Sequence, residues 1–79
     1  MNKTTINTLG WIGVAGVLIA YALLSWGIVG AHDLVYQILN GVGAILLIIE
    51  SAWRKDYPFT FLNAVWAIIA LVVIIQVLV

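Results

Sequence analysis

An all-α membrane protein of three transmembrane helices in a compact bundle is the fold class this sequence predicts, and three observations predict it. The chain of 79 residues is 66% hydrophobic and 8% charged, too little polar surface to cover a protein in water. Its apolar residues form three blocks, each long enough for the roughly 20 residues that a helix needs to cross hydrocarbon. Two short polar joints, Ala31-His32-Asp33 and Arg54-Lys55-Asp56, separate the blocks. Strands are excluded because open sheet edges cannot be satisfied in hydrocarbon and three strands cannot close a barrel. Residues 1–79 are therefore read as a single three-span domain.

The first helix is expected over about residues 8–30. The stretch from Leu9 to Gly30 exceeds the h-region of a signal peptide, about 7–15 residues, so an uncleaved first span is expected. At a helical period, Gly13, Gly16, Ala20, Gly27 and Gly30 share one side, and Gly16-x-x-x-Ala20 is a small-xxx-small step. Lipid tails offer helices no hydrophobic reason to associate, so close backbone approach at small residues has to supply packing energy. Trp11 and Trp26 fall opposite, about 22 Å apart by helical rise, the spacing of two interfacial anchors.

The second helix is expected over 34–53, with Asp33 as its N-cap and the carboxylate accepting a first-turn N–H. Tyr36, Asn40, Gly43, Leu47, Glu50 and Arg54 lie along one side, flanked by Gln37, Ala44 and Ser51. The reverse side is branched aliphatic: Val35, Ile38, Val42, Ile45 and Ile49 among others. In a membrane the polar side faces protein, because an unpaired amide in hydrocarbon costs several kcal/mol, roughly 2–7. Gly43 is thus marked for helix packing with Gly13, Gly16 and Ala20.

The third helix is expected over 58–79. Pro58 suits a first turn, where no helical N–H is needed, and Asp56 stands close enough to help cap it. Phe59, Asn63, Trp66, Ala67 and Ala70 make its inward face, and Leu71, Val72 and Ile75 look outward. Tyr21, Gly43 and Trp66 come out near the midplane by helical rise, and a Trp at that depth is expected to fill the groove beside Gly43 or Gly16.

Lys3 precedes the first span, and Arg54 and Lys55 lie between the second and third; the Ala31-His32-Asp33 joint has no Lys or Arg. Positive-inside bias puts the N-terminus and the Arg54-Lys55 joint in the cytoplasm and the C-terminus outside. A balance of three basic and three acidic residues leaves no basic patch for nucleic acid. Without cysteine there is no disulfide or thiol chemistry, and one histidine builds no metal site. No nucleophile-base arrangement, Walker loop or paired intramembrane carboxylates occurs, so neither an enzyme nor a cofactor is expected.

The remaining candidates are polar. Glu50 is ionisable within a span, a functional candidate by default, and it also stands four residues before Arg54 in the favourable order for an ion pair. Glu50 and Arg54 are the candidates for gating or ion handling. Tyr21, Asn40, Asn63 and Trp66 are the candidates for binding a small polar solute. Asn40 and Asn63 equally suit interhelical hydrogen bonding.

The order of Gly13 and Gly16, Ala20-Tyr21, Tyr36-Gln37-x-x-Asn40-x-x-Gly43, Pro58 and Asn63-x-x-Trp66 resembles a family of small bacterial three-helix membrane proteins, often labelled hypothetical or permease-like. The resemblance runs from about Leu9 to Leu71 and implies an inner-membrane, multi-pass protein without implying an activity. A more distant likeness is to the SemiSWEET sugar transporters and other PQ-loop proteins, which pair two three-helix bundles around a site with Asn and Trp side chains. This chain departs from them in lacking a Pro-Gln pair in the first helix and in its expected orientation. The function expected is a homo-oligomeric half-transporter for a small polar solute, most simply a parallel dimer. The alternatives are an accessory subunit docking on a larger membrane complex through the glycine face, and a holin-like pore former.

Overall fold

A computed structural model describes residues 1–79, in three helices: α1, Lys3–Ser25; α2, Leu34–Trp53; and α3, Tyr57–Leu78. All three are long and apolar enough to cross a membrane. Their 23, 20 and 22 residues rise about 30–35 Å, the thickness of a hydrocarbon core. The long dimension of the bundle is 37 Å.

The interior is the reverse of a water-soluble core. Only 13 residues are buried, and among them Ile6 and Leu47 are the only large aliphatic side chains. The rest are Gly, Ala and four polar residues: Gln37, Asn40, Ser51 and Asn63. Trp, Phe, Ile and Val side chains populate the outside. In lipid that surface is already solvated, so close helix approach and buried hydrogen bonds hold the bundle.

The α2 helix is the spine. Both α1 and α3 pack along it, and no Cα of α1 comes within 8 Å of one in α3. The broad polar side expected on α2 resolves into two adjacent rows, one per neighbour. On the α1 side, Gly43 and Leu47 meet Gly13, and Glu50 meets Gly10. On the α3 side, Gly41 meets Ala70, and Ser51 accepts a hydrogen bond from Thr60 at 2.8 Å. Asn40 and Ala44 lie angularly between the two rows, and Leu47 sits on the inner edge of the α1 row, so all three are buried.

The α1 helix begins and ends five residues earlier than expected. It begins early because Asn2 is a true N-cap, its Oδ1 accepting from Thr5 N at 2.8 Å. It ends early because Gly27 adopts φ +74, which closes a Schellman motif: Gly27 N donates to the Leu24 carbonyl and Ile28 N to that of Leu23. Gly27 and Gly30 are therefore turn residues beyond the helix and no part of its packing stripe. Ile6 and Gly10 extend the stripe at the other end, giving a buried row of Ile6, Gly10, Gly13 and Ala20.

The bounds of α2 match the expectation, but its cap differs. Asp33 holds the N-cap backbone position without a side-chain bond to the helix. Its Oδ2 instead accepts from Gly30 N at 2.6 Å, bracing the α1–α2 turn. Asp56 likewise occupies the N-cap of α3 without a side-chain cap bond, and Pro58 stands in the first turn as expected. At the α2 terminus Lys55 takes φ 61, the left-handed position that usually falls to glycine.

Candidate functional site

Two polar assemblies stand out, one along the α2–α3 seam and one at the mouth of a cleft between α1 and α3. The seam starts with Ser51, whose hydroxyl donates back to the Leu47 carbonyl at 2.6 Å and accepts from Thr60. Thr60 Oγ1 lies 2.8 Å from both Ser51 Oγ and the Asp56 carbonyl, and its single hydrogen serves one at a time. Next along α3, Asn63 Nδ2 donates to the Phe59 carbonyl at 2.9 Å, while its buried Oδ1 has no partner. At the opposite end, Gln37 Nε2 donates to the Ala31 carbonyl at 2.6 Å, and its buried Oε1 is also unpaired.

The cleft, of about 270 Å³, opens over α2 between α1 and the start of α3, which contributes Phe59 alone, where no Cα of α1 comes within 8 Å of one in α3. Asn7, Glu50 and Arg54 form its polar end, Val14 and Leu47 its apolar end, with Trp11 and Phe59 among the lining side chains. Glu50 Oε2 is 2.5 Å from Arg54 Nε, the expected i,i+4 ion pair. Arg54 Nη2 also donates to Asn7 Oδ1, joining the start of α1 to the end of α2. Room for the Glu50 stem comes from Gly10, where a Cβ would lie 2.9 Å from Glu50 Cγ. Asn7, Gly10 and Thr60 carry roles that sequence reading missed. The signal for Asn7 was its heptad spacing to Val14 and Tyr21.

The solute-binding candidates do not form one cluster in a single chain. Asn40 and Asn63 are buried, but the α2–α3 register separates them. Ser51 pairs with Thr60 and Gly41 with Ala70, which sets Asn40 level with Leu71, eight residues and about 12 Å along α3 from Asn63. Tyr21 is 64% exposed and Trp66 40% exposed. Trp66 fills no groove beside Gly43 or Gly16, because Val17 and the Gly13 backbone occupy Gly43, and Leu39 lies beside Gly16. It borders a shallow outer hollow with Leu62, Val65 and Ile69.

A seven-residue period nevertheless relates several candidates to the cleft. Tyr21 continues the Asn7–Val14 line of α1, Asn40 continues Arg54–Leu47 on α2, and Trp66 follows Phe59 on α3. Asn63 stands apart from these lines, in the α2–α3 seam.

No curated protein and no solved structure matches the chain, so the comparisons carry nothing for the SemiSWEET and PQ-loop likeness. A protein-family model matches residues 6–79. The chain belongs to that family, whose pattern runs from the first turn of α1 through α2 and α3.

Proposed function

We propose that this protein is half of a transport unit: a parallel homodimer in the bacterial inner membrane that passes a small polar solute. The observation that carries the reading is the open side between α1 and α3, which three helices leave unclosed and which the lines through Tyr21, Asn40 and Trp66 border. A second copy facing that side turns an open cleft into a lined path. Lys3, Arg54 and Lys55 fall at one end of the bundle, and positive-inside bias assigns that end to the cytoplasm. Glu50 and Arg54 then stand at the cytoplasmic mouth, where a charged pair controls entry.

The accessory-subunit reading is weaker by one observation. Gly10, Gly13 and Gly16, the face through which such a subunit would dock, lie against α2 of the same chain. The test is reconstitution into liposomes, with copy number counted by single-molecule photobleaching and solute entry followed by osmotic swelling in glycerol and in glycine. Two copies per unit and accelerated swelling in either solute support transport, with loss of swelling in Asn40→Ala. Single copies that leave swelling unchanged return the assignment to an accessory role.

A further inference from the structure

We infer that the cleft between α1 and α3 is a binding site for a phospholipid with a zwitterionic, primary-amine headgroup, of the phosphatidylethanolamine type. The site belongs to the protomer whose open side no second copy covers, so lipid and partner compete for one face, and the lipid site goes beyond transport and holds whether or not a solute moves.

The chemistry of the mouth selects the headgroup. Glu50 and Arg54 sum to zero charge, so a ligand of one sign would gain one contact and lose the other. A ligand with both signs gains both. Glu50 uses Oε2 for Arg54, and its Oε1 takes no protein hydrogen bond, leaving an acceptor for an ammonium. The Arg54 guanidinium has five N–H donors, of which Nε serves Glu50 and Nη2 serves Asn7. Nη1 remains for a phosphate oxygen, the acceptor that guanidinium fits best. A quaternary amine has no N–H to donate to Glu50, and a glycerol headgroup has no positive charge.

The shape of the cleft selects a lipid over a free solute. Its lining passes from Asn7 and Arg54 to Val14 and Leu47 within about 10 Å of helical rise, from headgroup chemistry to acyl-chain chemistry. Trp11 stands beside this boundary, 72% exposed, as an amphipathic ring does at headgroup level. No Cα of α1 comes within 8 Å of one in α3, so in a protomer without its partner the opening faces the bilayer sideways, and a lipid enters without crossing water. Gly10 completes the site, since any side chain there would push the Glu50 stem away from α1.

The test uses the full-length protein in detergent micelles, offered equal amounts of phosphatidylethanolamine, phosphatidylglycerol and phosphatidylcholine with identical acyl chains. Retained lipid is read by native mass spectrometry. Phosphatidylethanolamine is expected to exceed each of the others roughly ten-fold, the lower end of the scale of one charge-assisted hydrogen bond. Glu50→Gln should lower its retention to the phosphatidylglycerol level, with helicity by circular dichroism unchanged. Equal retention of the three lipids by the wild-type chain overturns the proposal, and that comparison stands even if the variant fails to fold. Displacement of the lipid by equimolar phosphoethanolamine also overturns it, by reassigning the cleft to a soluble zwitterion.

Discussion

Gly13 and Gly43 press backbone against backbone where α1 crosses α2. A Cβ built on either glycine would lie 2.9 Å from the other's carbonyl oxygen. Neither backbone can yield as a flexible side chain could, so this contact sets the distance between the helices. Gly13→Ala is expected to destabilise the bundle by about 1–3 kcal/mol, the usual cost of overpacking. Gly16→Ala provides the contrast, because its Cβ would meet nothing closer than 3.6 Å and should be tolerated. Reversible unfolding in bicelles separates the two.

Ser51 and Thr60 tie α2 to α3 at the end where the connecting turn is short. A double-mutant cycle of Ser51→Ala and Thr60→Val should give a coupling near 0.6 kcal/mol, the average for such bonds between membrane helices. A coupling indistinguishable from zero would mean that Ser51 serves only its own helix through Leu47.

Lys55 occupies the left-handed position of the α2 terminus with φ 61. A β-carbon costs roughly 1–2 kcal/mol in that conformation, and glycine pays none of it. Lys55→Gly should therefore raise stability by about 1 kcal/mol, read as a higher midpoint in the same unfolding assay.

The cysteine-free chain makes topology directly readable. Asp56→Cys should be protected from an impermeant maleimide added to intact cells and become labelled on lysis. His32→Cys should be labelled without lysis. The reverse pattern would invert the orientation and place the Glu50–Arg54 mouth outside.

Much of this architecture was legible because the membrane makes polar and small residues conspicuous. On α2, amides and Glu50 among branched aliphatics marked the buried side, and the Glu50–Arg54 pair followed from spacing alone. That side also served two neighbours, which periodicity could not separate: the α1 and α3 rows lie about 100° apart and merge into one broad face. Gly27 misled because a glycine on a stripe and a glycine ending a helix look alike in one sequence, while their φ values differ. Trp66 misled for another reason. Depth argued that it was buried, but the grooves at Gly43 and Gly16 are already filled from α1 and α2, which leaves Trp66 on an outer hollow of α3.

On the proposed reading, α1 and α3 flank an open side that a second copy closes. Disulfide cross-linking in native membranes tests it most directly, with Trp66→Cys on the α3 line that flanks the opening and Val42→Cys on the aliphatic back of α2. A covalent dimer is expected from Trp66→Cys and none from Val42→Cys. A dimer through Val42→Cys alone, or none from either, would contradict it.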